Sequence, residues 1–193
     1  MVKRIVCGSV AILISCAALV SFLGCSTTLP DPSGFLGERG AMYPGAIKGI
    51  YIIDDRPTGR VSDYQSFIVD PLVVYLNPSA KAYSMPKDKL ETVAKEFAQE
   101  LVKALNERYS VVEQPGTGVL RIKAALTDIK ANGSIGQIEK NSMLEIDFID
   151  SSTDKRVVAF IADMQGRSFR DFTRELVARI AELQRKTKAY TVP

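Results

Sequence analysis

The chain reads as an α+β protein: a two-layer sandwich in which a mainly antiparallel sheet carries two amphipathic helices on one face. Three patterns predict this. Leu90, Val93, Ala94, Phe97, Leu101, Ala104 and Leu105 recur at spacings of three and four, and so do Phe169, Phe172, Leu176, Ile180 and Leu183. Between these two helical stripes lie segments of period two. In the clearest, Leu120, Ile122, Ala124 and Leu126 share one face, with Arg121, Lys123 and Thr127 on the other. Short turns join these segments, which favours antiparallel neighbours and leaves both helices on one side of the sheet. The 193 residues are 46% hydrophobic and 24% charged, enough apolar material for one packed domain.

In chain order, residues 1–24 have the grammar of an export signal. Lys3 and Arg4 precede an uncharged run from Ile5 to Leu23, which ends at Gly24-Cys25. A small residue followed by Cys resembles the lipobox of bacterial lipoproteins. That resemblance implies cleavage between Gly24 and Cys25 and acylation of Cys25, first on its thiol with diacylglycerol and then on its new amino group. Phe22 stands where a lipobox usually has Leu. Leu13-Ile14-Ser15-Cys16 also fits the short pattern, but cleavage there would leave Ala17 to Leu23 as an apolar N-terminus. The competing reading of the run is a retained membrane helix, since it is just long enough to span a bilayer. Its Gly8, Ser9, Ser15 and Ser21 weigh against that. Ser26, rather than Asp, follows the Cys. By the same resemblance this places the protein on the periplasmic side of the outer membrane, where several acyl chains anchor firmly.

Residues 25–46 carry Pro30, Pro32 and Pro44 with several glycines and read as a lipidated, flexible tether. Phe35, Leu36, Met42 and Tyr43 are its exceptions, expected to pack on the domain rather than to anchor a partner. The α+β domain is expected over 47–193. Ile47 to Ile53 and Phe67 to Leu76 are strand-rich, separated by a turn at Asp54 to Gly59. Pro71 marks a bulge or an edge in the second. A helix follows from Pro86 to Tyr109, with Asp88 and Glu91 near its positive end. Tyr109 to Val112 is a short strand, Gln114 to Gly118 a turn, and Val119 opens a long strand. Ile138 to Ile149 is the next strand, with Leu144, Ile146 and Phe148 alternating with Glu145 and Asp147. After a turn over Asp150 to Lys155 comes Val157 to Met164, apolar on both faces and therefore central. Ser168 and Asp171 open the last helix as a capping box. That helix runs from Phe169 to Lys188; from Arg167 to Lys188 there are seven basic residues against three acidic.

The composition removes whole classes of chemistry. The chain has no His and no Trp, which excludes imidazole acid–base catalysis and His metal sites. Cys7 and Cys16 lie in the signal and Cys25 at the lipid site, so no thiol is left for a disulfide, a nucleophile or a zinc ligand. A net charge of +3 is too balanced for nucleic-acid binding. Asp54 and Asp55 are sequence neighbours that a strand would point to opposite faces. Asp147 and Asp150 read as a solvated strand end. Ser84, Ser110 and Ser142 have no evident activating base. Pro115-Gly116-Thr117-Gly118 precedes a strand and lacks the Lys-Ser/Thr of a phosphate loop.

At Gln114-Pro115-Gly116-Thr117-Gly118-Val119-Leu120-Arg121, followed by Ala125-Leu126-Thr127-Asp128, the chain resembles a family of bacterial lipoproteins catalogued as a domain of unknown function. That family typically shows P-G-P-G-V-L-R and then A-L-T-D, and Thr117 replaces the usual Pro. Ser33-Gly34-Phe35-Leu36 and Asp70-Pro71 match two further family features. The layout also resembles the periplasmic domains of curli-secretion and penicillin-binding-protein-activating lipoproteins. The family implies no activity, catalytic residue, cofactor or metal. The resulting expectation is a non-enzymatic envelope lipoprotein that binds protein partners or copies of itself. A periplasmic small-ligand or glycan-binding domain is the alternative, and a carboxylate-dependent hydrolase a third reading.

Overall fold

The computed structural model describes residues 33–37, 41–45, 49–54, 60–75, 86–129, 134, 138 and 142–189. The expected signal, cleavage site and acylated Cys25 lie outside them, as do Asp55 and Ser84.

Among the described residues, eight strands form one mixed sheet, backed by two long helices. The strands are β1 (Ala41–Pro44), β2 (Ile50–Asp54), β3 (Ser66–Val69), β4 (Val73–Val74), β5 (Ser110–Val111), β6 (Val119–Thr127), β7 (Met143–Asp150) and β8 (Lys155–Asp163). The helices are α1 (Lys87–Asn106) and α2 (Phe169–Ala189). The sheet order is β1-β2-β8-β7-β6-β3-β5, with β4 also pairing β6.

The expected antiparallel meander is present from β6 through β7 to β8, and β2 and β1 extend it with further antiparallel pairing. The other end of the sheet differs: β3 and β4 run parallel to β6, and β5 runs parallel to β3. Hairpin counting is blind to this end, because α1 intervenes between β4 and β5 and carries the chain back across the sheet. Asp70-Pro71-Leu72 separates β3 from β4. Pro71 has no N–H for the ladder, so the chain leaves β6 after Val69 and rejoins it at Val73.

Both helices follow from local chemistry. Pro86 caps α1 where a missing N–H costs nothing. At α2 the expected cap is formed: the Asp171 amide donates to Ser168 Oγ at 3.2 Å, and Ser168 Oγ donates to Asp171 Oδ2 at 2.7 Å. The two apolar stripes meet the sheet in one large core. Phe97 and Phe169 join the helices edge to face at 5.2 Å, and Phe67 packs on Tyr109 at 5.0 Å.

The opposite sheet face is also covered in part, by Phe35, Leu36 and Met42, which the sequence expected to pack on the domain. Leu36, Ile53, Met143, Ala159 and Ile161 form a second apolar cluster, with Phe35 and Met42 against it. Packed structure therefore begins upstream of residue 47: Met42 pairs with Ile53 in the ladder, and Leu36 is buried. Tyr43 stays exposed.

Candidate functional site: a strapped sheet face and an apolar groove

Residues 144, 146 and 148 of β7 point into the helix-side core, so Glu145 and Asp147 point to the other face. The alternation was legible, but a solvated position for Asp147 is corrected by the structure. β7 lies between β6 and β8, and the segment Ser33–Gly37 crosses above it, leaving Glu145 1% and Asp147 9% exposed.

The two carboxylates are held differently. Arg156 Nε donates to Asp147 Oδ1 at 2.7 Å and Nη2 donates to Oδ2 at 2.9 Å, a bidentate pair. A register shift between Phe148 and Ile149 brings Arg156 onto this face. Nη2 also donates to the Leu36 carbonyl at 2.7 Å. Glu145 Oε1 accepts the Ser33 amide at 3.0 Å, while its Oε2 has no hydrogen-bond donor among the described residues.

Ser33–Gly37 is thus a strap, tied at one end to Glu145 and at the other to Arg156, with Leu36 inserted between. Its own fold is set by local rules. Ser33 Oγ accepts the Phe35 amide at 3.0 Å, and the Gly37 amide donates to the Gly34 carbonyl at 3.0 Å. Gly34 sits at φ +97, and a Cβ there would lie 3.5 Å from Tyr75 Oη. Phe35 meets the Tyr75 ring edge-on at 6.2 Å. The S-G-F-L segment quoted above therefore has a packing role.

Asp150, three residues beyond Asp147, lies on the helix side. Its Oδ2 accepts the Tyr64 hydroxyl at 2.8 Å, and its Oδ1 accepts the Ser152 hydroxyl at 2.6 Å and the amides of Ser152 and Thr153. These bonds, from Ser152 first and Tyr64 second, hold its pKa well below the ordinary 3.8. Burial, reinforced by Asp150, pushes the Tyr64 hydroxyl far above 10.0. Gln184 extends the chain of contacts, accepting the Tyr109 hydroxyl at 3.0 Å and donating to the Tyr64 carbonyl at 2.7 Å. Burial likewise raises Tyr109. Asp147 and Asp150 consequently face opposite layers and do not converge on one cleft. Asp54 ends β2, Ser110 is exposed on β5, and Ser142 is buried at the start of β7.

An open concavity lies elsewhere, between α1 and the β3–β4 connection. This open groove has a volume of about 890 Å³. Ala94, Ala98 and Val102 form its helical wall, Val69, Pro71 and Leu72 the opposite wall, and Glu91, Lys95, Lys103 and Asp70 the charged rim. Asp70 is held by Arg121 at 3.7 Å. Pro71 pointed to an irregular edge, but the groove itself was not legible, since its walls are remote in sequence. Among the described residues no cluster of three or more His, Cys, Asp or Glu could hold a metal ion. No helix among them is long and apolar enough to cross a membrane.

No curated protein matches the sequence. Among solved structures, two PelC dodecamers from Paraburkholderia phytofirmans are similar. One, a single-residue variant, has 10% identity and a TM-score of 0.33, covering 64% of this chain and 88% of that one. The other has 9% identity and a TM-score of 0.35, covering 68% and 94%. A DUF4136 family protein from Bacteroides thetaiotaomicron has 8% identity and a TM-score of 0.37, covering 73% and 95%. A family model described as "Protein of unknown function (DUF3313)" matches residues 31–183, from the residues leading into the strap almost to the end of α2, so the chain belongs to the DUF3313 family.

Proposed function

We propose that this protein is a lipid-anchored domain of the bacterial cell envelope, on the periplasmic side of the outer membrane, that acts by binding protein partners rather than by catalysis. The observation that carries the binding role is the groove beside α1: an apolar floor with charge confined to its rim is the make-up of a docking surface. The carboxylates singled out in the sequence support the same reading, because Asp147 and Asp150 are committed to Arg156 and to Tyr64 and Ser152. The signal-like N-terminus and Cys25 support the anchor.

The test is in-cell crosslinking of the acylated protein with capture and mass spectrometry, alongside Cys25→Ala and Ala98→Glu versions. A stoichiometric envelope partner or a self-crosslink, lost in Ala98→Glu, supports the reading. A monomer without partners in all versions overturns it. The groove volume favours one alternative, a small apolar ligand, since about 300–1,000 Å³ suits such molecules; ligand screening against Ala98→Glu would then separate the two.

A further inference from the structure

We propose that the sheet face opposite the helices is the surface this domain presents to the membrane, and that the Ser33–Gly37 strap holds it there. This rests on the proposed acylation of Cys25. Ser33 follows Cys25 by eight residues, a span of at most about 29 Å when fully extended. Without the strap the first fixed point would be Ala41, sixteen residues on and up to about 58 Å away. Docking the strap therefore halves the reach of the anchor.

The strap also selects a side. Ser33 is bonded to Glu145 on β7, which has three strands between it and each edge of the main sheet path. To lay the helices on the membrane, the linker must round the sheet and then cross a helix layer. The sheet-to-helix distance and helix radius alone take about 15 Å of its length. The strapped face needs no such detour.

That face has the side chains for the task. Val73 and Tyr75 are 50% and 40% exposed, beside Phe35 of the strap. Lys123 and the Asp70-paired Arg121 project from β6 on the same side, while Glu145 and Asp147 are buried beneath the strap and offer little negative surface. An amphipathic Tyr, an exposed aliphatic and nearby cations suit a headgroup layer with anionic lipid.

The test uses the full chain, processed in a bacterial host and reconstituted in phosphatidylethanolamine–phosphatidylglycerol vesicles bearing a headgroup acceptor dye. A donor dye is placed at Tyr75→Cys or, on the outer side of α2, at Arg174→Cys. Mass spectrometry of the N-terminal peptide reports acylation of Cys25. The expected result is stronger energy transfer from position 75 than from 174, equivalent to a separation of about 20 Å for a sheet plus a helix layer. Leu36→Ala, with its fold checked by circular dichroism, should shrink that difference by loosening the strap. With Cys25 acylated, equal transfer or stronger transfer from 174 overturns the orientation and leaves the anchor standing. An unchanged difference in folded Leu36→Ala overturns the role of the strap. A peptide without acyl mass overturns both the anchor and the orientation.

Discussion

Arg156 grips Asp147 through two parallel hydrogen bonds, 2.7 and 2.9 Å long, and with the same guanidinium holds the Leu36 carbonyl at 2.7 Å. One side chain thus neutralises an inward-facing carboxylate and pins the segment that buries it. Arg156→Ala would leave the covered Asp147 carboxylate without its bidentate partner, at a cost of about 3 kcal/mol. Replacing both residues by Leu should recover much of that loss in a urea-denaturation double-mutant cycle. Additive costs would show that the pair is not coupled.

Leu36 is the apolar anchor of the strap, inserted beside Ile53, Met143 and Ile161. Leu36→Ala should cost about 2 kcal/mol, at the lower end for a buried Leu because a short segment can settle into the space. Limited proteolysis should then cut upstream of β1 sooner than in the unaltered protein. An unchanged cleavage pattern would show that Leu36 does not secure the strap.

Gly34 adopts φ +97 under the Tyr75 hydroxyl. Any L side chain is strained there, so Gly34→Ala should destabilise the protein by about 1 kcal/mol, where an ordinary loop Gly→Ala stabilises. Thermal unfolding gives the sign directly.

Asp150 provides a pH test. Its folded pKa is depressed, so its contribution is complete above its ordinary 3.8 and is lost as pH falls toward the folded value. Asp150→Asn should therefore destabilise most at neutral pH, and its difference from the parent should narrow in acid below about pH 4. A difference constant with pH would mean that the charge of Asp150 is not what Tyr64 and Ser152 stabilise.

Phe97 and Phe169 meet at 5.2 Å with almost no exposure. Phe97→Ala should cost about 3–5 kcal/mol, the range for a fully buried ring. Calorimetry on the purified domain would measure it. A loss below about 1 kcal/mol would mean the two helices do not rely on this contact.

The sequence by itself determined both helices, the Ser168–Asp171 cap, the β6–β7–β8 meander and the break at Pro71, because periodicity and capping act over a few residues. The Ser33-Gly34-Phe35-Leu36 motif was also visible there, though without its purpose. Only the tertiary structure decided the parallel pairing of β3 and β4 with β6, since nothing local in Phe67 to Leu76 encodes a partner fifty residues away. It alone decided that Glu145 and Asp147 are covered: an alternating strand reads the same whether its polar face meets water or a strap from 112 residues upstream. The groove between α1 and Pro71 is of the same kind, a surface made by two remote segments whose individual patterns describe only their own cores.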